Sequence, residues 1–307
     1  MTNLRHSFVS AKSDSPDSSL VRPTNWNAKL QYTSTDGSPS GTDASIREHL
    51  TADRAYYVNA ASGSDNNTGL STGAAWATMQ YAMDFIADEL DFAGYGVTVN
   101  VASGTYEGVG IWKRCVGQPS PYYFSFIGDN TTPANVIINP SVNTACFSLI
   151  GAGVAGQISG FTMASTVGTG RGVEVTQGGV AILGNNAYST CVGSHIFVYG
   201  SGANVNFSGA TNTIVAGITA LDHLSVANEA FLFGYSATIA MSTPSFTNFA
   251  VCSQGRLETI LSFSGSTTAT GTRYYVDLNG VINTFGAGAN AYPGNVAGAS
   301  ATGGIYV

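Results

Sequence analysis

Three carboxylates in the second half of the chain carry the functional group that glycoside hydrolysis requires: Asp222, Glu229 and Glu258. A glycosidase uses two carboxyl groups about 5 to 9.5 Å apart. If the chain coils back on itself, Asp222 and Glu229, or Glu229 and Glu258, would lie on one face. Arg256 stands two residues before Glu258, and a surface ion pair along one strand explains both residues as well. No catalytic residue is therefore assigned, and the three carboxylates remain candidates.

Four ring-bearing side chains have the types that stack on sugars: Trp112, His195, Phe197 and Tyr199. In the stretch 195–199, alternation points Ile196 and Val198 inward, so the other three side chains are predicted to point outward. Outward aromatic residues contact a partner, because large exposed apolar patches are rarely idle. That partner is either a sugar ring or a neighbouring subunit. Trp112, beside two basic residues, either stacks on a sugar or closes the first coil.

The remaining motifs do not favour cofactor chemistry. Glycines at 151, 153 and 156 match a phosphate-binding pattern, but a β-prone run follows them where the pattern needs a helix. The four cysteines lie far apart, which predicts buried single thiols and neither a zinc site nor a disulfide framework. His223, like His195, is predicted to point outward. Asp65 fits either a calcium site or a loop held by its own turns. We expect no cofactor and no metal.

The composition limits the possible partners. Only 9% of the residues are charged, against about 25% in ordinary globular proteins, which favours an elongated repeat or an oligomer. The net charge of −7 without a basic patch argues against a nucleic-acid partner. No apolar run approaches the roughly 20 residues that span a bilayer. The N-terminus also lacks the apolar core of an export signal, so we expect synthesis in the cytoplasm and no membrane insertion.

Short β-prone runs separated by Gly, Asn, Ser and Thr fill the region between residues 122 and 263. They follow each other too closely for helices to intervene, which excludes a series of βαβ units. An antiparallel sandwich is the main alternative, but the Asn-Gly and Asp-Gly pairs of tight hairpins do not occur in this region. A solenoid fits better. With two or three strands per coil we expect about seven coils, and at about 4.8 Å per coil a rod roughly 35 Å long.

The stretch Tyr56–Gly108 precedes these runs and combines a strand, a Gly-Ser-Asp loop, a helix and a Gly-Thr-Tyr segment. Apolar residues at spacings of three and four predict the helix between Trp76 and Leu90. This arrangement resembles the start of pectate-lyase-like right-handed parallel β-helices. The resemblance implies a helix that caps the N-terminal end of the coil. It implies nothing firm about activity, because this fold hosts lyases, hydrolases and inert adhesins.

Residues 1–54 contain six basic and six acidic residues and few periodic apolar ones, so the segment lacks a core of its own. The strings Arg5–Lys12 and Leu20–Ala28 are similar to the leader of phage tail-fibre and tail-spike proteins. That resemblance implies attachment to the virion, and it implies five docking residues: Phe8, Val9, Leu20, Val21 and Trp26. The alternative is an extended arm with no docking role.

The last part of the chain differs from the rest in composition. No charged residue occurs between Leu278 and Val307, and glycine is abundant. The stretch 271–282 predicts two strands joined by a hairpin turn at Asn279-Gly280. The segments Asn290–Gly298 and Thr302–Val307 resemble the C-terminal module of phage tail-associated β-helix proteins, which implies a cap that forms a trimer. Glycine-rich loops on a monomer are the alternative.

Together these observations predict an all-β right-handed parallel β-helix with an N-terminal capping helix, an extended N-terminal anchor and a small C-terminal β cap. The expected divisions are an arm (1–54), the start of the coil with its helix (55–108), the body (109–265) and the C-terminal module (266–307). We expect a homotrimeric virion appendage, a tail spike or fibre, that docks on other phage proteins through residues 1–54 and contacts bacterial surface polysaccharide. The alternatives are a tail-spike depolymerase that uses a carboxylate pair and, third, a secreted polysaccharide lyase.

Overall fold

The structure of the chain is a computed structural model that describes residues 47–142, 145–207, 211–265 and 268–307. Within these residues every paired strand is parallel to its neighbours, and the sheets stack into a solenoid that fits a right-handed parallel β-helix. The predicted fold class is therefore confirmed. The predicted docking residues lie outside the described residues: Phe8, Val9, Leu20, Val21 and Trp26.

The elements follow one another as successive coils. The start contains β1 (Glu48–His49), β2 (Arg54–Val58), helix α1 (Met79–Glu89) and β3 (Leu90–Asp91). Coils one to three contain β4 (Val97–Val101), β5 (Gly104–Tyr106), β6 (Val109–Trp112), β7 (Phe124–Ile127), β8 (Val136–Ile138), β9 (Phe147–Ile150), β10 (Ala155–Ser159), β11 (Thr162–Ser165) and β12 (Val173–Thr176). Coils four and five contain β13 (Val180–Gly184), β14 (Ala187–Cys191), β15 (Ile196–Tyr199), β16 (Asn204–Phe207), β17 (Thr211–Ile214) and β18 (Thr219–Ala227). The remaining coils contain β19 (Phe231–Met241), β20 (Ser245–Ser253), β21 (Arg256–Ser264), β22 (Thr270–Asp277), β23 (Val281–Asn283) and β24 (Ala299–Ser300), and β25 (Ile305–Tyr306) follows them. Three short 3-10 helices interrupt the loops, at Thr72–Ala74, Pro121–Tyr123 and Pro133–Asn135.

Three faces run along the solenoid. The first face is formed by the first strand of each coil, from β4 to β23, together with β2 and β25, and the second by β5, β8, β11, β14 and β17. In the long strands β19 and β21 the chain passes from the first face to the second without a break, so the two faces form one sheet there. The third face is an eight-stranded sheet, β6-β9-β12-β15-β18-β20-β22-β24, with one strand per coil.

The coil therefore has eight turns, one more than expected from the sequence. The extra turn consists of β23 and β24, which pair in parallel with β21 and β22 of the coil before them. The predicted hairpin at Asn279-Gly280 is wrong, because β22 and β23 lie on different faces and do not pair with each other. Leu278 and Asn279 adopt positive φ angles of 49° and 62° and turn a corner of the coil instead.

The interior is a continuous stack of apolar side chains. On the third face, Phe147, Val173, Ile196, Leu224 and Ala250 occupy matching register positions in five successive coils, and all five are buried. Inward positions repeat in this way because strand residues alternate between the two sides of a sheet. All four cysteines are free and buried, as predicted. Desolvation raises the pKa of the Cys191 thiol to about 12, which keeps it protonated and unreactive.

Helix α1 covers the N-terminal end of the coil, as the sequence predicts. Its apolar side is fully buried, and the Trp76 ring just before it stacks on Tyr56 of β2 at a centroid distance of 4.7 Å. The helix begins after Thr78, whose hydroxyl accepts a hydrogen bond from the Tyr81 backbone N–H at 3.2 Å. At the outer side of the helix, Lys113 pairs with Asp88 at 2.7 Å.

The Asp65 side chain holds the loop before the helix. Its carboxylate accepts hydrogen bonds from the backbone N–H groups of Ala77 and Thr78 at 2.9 and 3.0 Å, and from the Thr78 hydroxyl at 2.9 Å. These three charge-assisted hydrogen bonds fix the carboxylate against the start of the helix. The loop is thus held by its own contacts.

Replacement of Asp65 tests whether these hydrogen bonds stabilise the fold. We expect Asp65→Ala to lower the free energy of unfolding by about 1 to 3 kcal/mol, because two backbone donors at the helix start lose their acceptor. Chemical denaturation followed by circular dichroism measures the change. Asn66→Ala, at an exposed position of the same loop, is the matched control. Equal stability of the two variants would contradict a stabilising role for the Asp65 hydrogen bonds.

Candidate functional site

The structure separates the four predicted sugar-stacking residues into two groups. Phe197 is half-buried and Tyr199 is 44% exposed, and both point outward from β15 as predicted. Trp112 and His195 are buried, with exposed fractions of 2% and 0%. The prediction that His195 points outward is therefore wrong, and of the two alternatives for Trp112 its burial favours closure of the first coil over stacking on a sugar.

The outward side chains of β15 form a stacked aromatic pair with two charged neighbours. The rings of Phe197 and Tyr199 are nearly parallel, at 8°, with centroids 5.9 Å apart. The Arg171 guanidinium lies over the Phe197 ring, 3.6 Å from its centroid, in a cation–π contact. Arg171 also pairs with Glu174, which is the register neighbour of Phe197 on β12. We call these four residues the Phe197 surface.

The neighbouring coils leave the Phe197 surface open on one side. On the next coil, Ser225 stands opposite Phe197 and Ala227 opposite Tyr199. These side chains are too small to cover the rings, so the aromatic pair projects above the surface of the next coil. On the preceding coil, Thr176 lies beside Tyr199 and Ile150 lies one coil further, 45% exposed.

This surface combines the two features that bind a sugar. The Arg171 guanidinium already covers one face of the Phe197 ring, so the exposed Tyr199 ring is the one that can accept the apolar C–H side of a pyranose. The Arg171 guanidinium and the Glu174 carboxylate can hydrogen-bond the hydroxyl groups of the same sugar. Because the coil-to-coil hydrogen bonds fix the positions of all four residues, little ordering is needed on binding. The geometry suits a flat, hydroxylated ligand rather than a deeply enclosed one.

A row of four aromatic side chains lies on the first face and was not predicted from the sequence. Phe231, Phe233, Tyr235 and Phe285 form a chain of ring contacts with centroid distances of 5.2, 6.0 and 5.6 Å. We call these four residues the Phe231 row. The alternation around the buried Leu232 was the available signal, but Gly234 interrupts the pattern where the next inward side chain would be. Beside the row, Arg256 pairs with Glu258 on one strand, as predicted.

Trp112 belongs to the core of the first coils. Its ring contacts Phe124 and Phe126, each with a centroid distance of 5.2 Å, and Phe147 at 6.3 Å. The register between β6 and β9 shifts between Val109 and Trp112, and this irregularity turns both side chains inward. A Cβ atom at Gly156 would lie 2.3 Å from the indole ring. The glycine of the phosphate-like pattern thus makes room for Trp112, which closes the first coil.

The two histidines that were predicted to point outward form a buried pair. His195 and His223 approach with their Nδ1 atoms 2.9 Å apart, and His195 Nε2 lies 2.8 Å from the Ser189 carbonyl oxygen. A carbonyl only accepts, so His195 Nε2 donates, its Nδ1 accepts, and His223 Nδ1 donates. His223 Nε2 is then a buried acceptor without a partner in the described part of the chain.

The outward direction predicted for His195 and His223 is wrong because of the local geometry of the coil. The corner of the coil lies at these positions, so His195 and the following Ile196 both face the interior. Burial lowers the pKa of His195 to about 4, and burial together with His195 lowers that of His223 well below its ordinary value. Both imidazoles are therefore neutral at physiological pH. The stability that they contribute is present above pH 6.5 and is lost as the pH falls toward 4.

The three candidate carboxylates do not form a pair. Asp222 lies on the third face, Glu258 on the first face, and Glu229 at an exposed corner between the two. The Glu229 backbone N–H binds the Gln254 carbonyl at 2.6 Å. Glu258 lies beyond that corner on β21, where its carboxylate contacts Arg256 at 2.6 Å and the Tyr235 hydroxyl at 3.4 Å. The side-chain partners of Asp222 are Ser194 at 3.2 Å and Asn248 at 3.3 Å, and neither is a carboxylate.

Among the described residues, no group of three or more His, Cys, Asp or Glu side chains is placed to hold a metal ion. Burial raises the pKa of Asp222 to about 6, so this carboxyl group titrates near neutrality. Its exposed fraction of 5% leaves little access for a substrate. The arrangement supports a binding surface more directly than a hydrolytic site.

The raised pKa of Asp222 leads to a prediction about stability. For an acid whose pKa is raised from 3.8 to about 6, the protonated form is favoured in the fold, and that stability is lost as the pH rises through 6. We expect Asp222→Asn to become more stable than the natural chain as the pH rises from 4 to 8, by at most about 3 kcal/mol.

Thermal unfolding at a series of pH values measures this difference. Glu229→Gln, at the exposed corner, is the control and should follow the natural chain at every pH. A constant offset between Asp222→Asn and the natural chain from pH 4 to 8 would contradict the assignment of a raised pKa.

Neither a membrane-spanning helix among the described residues nor a similarity to known proteins indicates what this chain does. In the described part of the chain, no helix has the length and apolar character needed to cross a membrane. Comparison with protein-family models, with curated proteins and with solved structures gives no match. What this chain does must therefore be inferred from the two aromatic surfaces of the solenoid and from their neighbours.

Proposed function

We propose that this protein is a structural virion appendage, a phage tail spike or fibre, that binds a bacterial surface polysaccharide. The observation that carries the glycan contact is the Phe197 surface: two parallel outward rings with a guanidinium and a carboxylate beside them. The phage assignment is supported by the resemblance of residues 5–28 to tail-fibre leaders. In this proposal residues 1–54 dock on other proteins of the virion, and the coil is presented to the bacterium.

A solenoid suits this role because it holds a binding surface on a rigid rod. Each strand pairs with the coil before and after it, so force along the rod is spread over many parallel ladders. A polysaccharide is itself a repeating chain, and a surface on successive coils can contact more than one sugar unit. Several weak contacts then add up to firm attachment.

We propose further that the protein is a homotrimer. Exposed apolar area on the first face includes Tyr235, Ile260 and Phe285, with exposed fractions of 42%, 50% and 48%. Such a patch favours a protein interface. The charge-free residues 278–307 support the same proposal, since an uncharged surface is costly on a monomer. Light scattering of the purified chain that gives the mass of a monomer would contradict it.

The second candidate function is a tail-spike depolymerase. Asp222 is the feature that favours it, because a carboxyl group with a pKa near 6 is suited to donate a proton. The placement of Asp222 on the third face, Glu258 on the first face and Glu229 at the corner disfavours it, since hydrolysis needs two carboxyl groups that face one sugar. Release of reducing ends from a bacterial polysaccharide, abolished by Glu229→Gln or Glu258→Gln, would establish the enzyme.

Loss of the aromatic pair should weaken glycan binding. We expect the double variant Phe197→Ala/Tyr199→Ala to bind a recognised polysaccharide about tenfold more weakly or worse, because each aromatic contact contributes about 0.5 to 1.5 kcal/mol beyond its buried area. Surface plasmon resonance against polysaccharides extracted from a panel of bacterial strains measures the affinity.

Ile150→Ala is the matched control, because Ile150 is equally exposed on the same face but lies outside the aromatic pair. It should bind like the natural chain. Undiminished binding by the double variant would remove the Phe197 surface from the proposal. The attachment role of residues 1–54 is tested separately: recovery of a chain that lacks residues 1–50 on assembled virions would overturn it.

A further inference from the structure

A cleft lies at the N-terminal end of the first face, away from the Phe197 surface. It has a volume of about 390 Å³ and opens between β2, β4 and the 3-10 helix Pro121–Tyr123. Small side chains on three successive strands form its floor, and two tyrosines and two charged residues form its walls. We call it the Tyr122 cleft, and its lining includes Asp53, Arg54, Thr98, Tyr122, Tyr123 and Ser125.

The floor is small and polar because of the strand register. Ala55, Thr98 and Ser125 are register neighbours on β2, β4 and β7. The hydroxyl groups of Thr98 and Ser125 are hydrogen-bonded to each other at 3.2 Å. None of the three side chains is large enough to fill the space above the sheet, so the concavity is a consequence of residue size.

Two exposed tyrosines stand at the wall of the cleft in fixed positions. Tyr122 is 56% exposed and Tyr123 is 40% exposed. The Tyr123 backbone N–H donates to the Ser120 carbonyl at 3.1 Å, and the Gln157 amide donates to the Tyr122 carbonyl at 3.2 Å. The backbone of this short helix is thus tied to a neighbouring coil, while both rings remain free to contact a ligand.

The opposite wall carries a net negative charge. The Asp53 carboxylate accepts a hydrogen bond from the Gly96 N–H at 2.7 Å, which fixes it at the rim. Arg54 pairs with Glu48 at 2.8 Å. The Arg54 charge is thus offset by Glu48, and the Asp53 carboxylate leaves this wall with a net negative charge, which disfavours an anionic ligand.

We propose that the Tyr122 cleft binds a neutral hexose unit, with a tyrosine ring against its apolar side and the Asp53 carboxylate accepting from its hydroxyl groups. Its volume falls within the range of small-molecule sites, about 300 to 1,000 Å³. The cleft lies on the first face and at the start of the coil, so it is separate from the Phe197 surface on the third face. The inference deepens the proposed glycan contact and rests on it for the origin of the sugar.

The experiment uses the full chain and five free sugars: glucose, galactose, mannose, N-acetylglucosamine and glucuronic acid. Ligand-observed NMR titration measures their binding. We expect at least one neutral hexose to bind and glucuronic acid not to bind. Tyr122→Ala and Asp53→Ala should each weaken the binding at least tenfold. Both side chains are exposed, so the thermal unfolding midpoint checks that the variants remain folded.

Two controls separate this inference from the proposed function. Tyr81→Ala removes an exposed tyrosine of helix α1 outside the cleft and should bind the sugar normally. Because the Phe197 surface is itself proposed to bind sugar, the titrations are repeated in the Phe197→Ala/Tyr199→Ala chain, where the hexose should still bind and Tyr122→Ala should still weaken that binding at least tenfold. If no neutral hexose binds, if glucuronic acid alone binds, or if Tyr122→Ala and Asp53→Ala bind normally, the cleft proposal is overturned, whatever the polysaccharide result. If the hexose binds in the cleft while no polysaccharide is recognised, the cleft site stands and the attachment role fails.

Discussion

The backbone ladder between successive coils is the constraint on which the rest of the structure depends. Each coil satisfies its N–H and C=O groups on the coil before and after it, so register is passed from strand to strand. On the third face, for example, Glu174, Phe197 and Ser225 occupy one column because their strands pair without a shift. A side chain in such a column has its height and direction fixed by its neighbours. Surfaces on this protein are therefore columns of side chains, and their chemistry is set by which residue each coil contributes.

The same constraint explains why binding surfaces and core have little influence on each other. Inward residues stack into one apolar column, while outward residues can change from Ser to Phe between adjacent coils without disturbing it. The Phe197 surface, the Phe231 row and the Tyr122 cleft use this freedom in different ways. The first places large rings beside small neighbours, the second places rings beside rings, and the third leaves a floor of small residues under two tyrosines. Buried titratable side chains are the exception, and Asp222 and the neutral histidine pair lie where the coil turns a corner.

Much of the fold was predictable because alternation and the density of β-prone runs are properties of local sequence. The capping helix and the outward direction of Phe197 and Tyr199 follow from the same periodicities. The failures lie where the period breaks. A register shift turns Trp112 inward, and a corner makes His195 and Ile196 face the interior together. The Tyr122 cleft could not be predicted, because Asp53 and Tyr122 lie far apart in the chain and meet only through the register of β2, β4 and β7.

The two ends of the coil are built differently, and this gives the rod a direction. At the N-terminal end, helix α1 lies over the first coils and shields their interior from solvent. At the other end, β24 and β25 each pair on one side only among the described residues, and Ile305 and Val307 are 50% and 54% exposed. A strand with an unpaired edge is a template for further strands. A partner strand that paired with the C-terminal edge would therefore extend the rod by continuing its ladders, whereas at the N-terminal end helix α1 stands between any partner and the apolar interior.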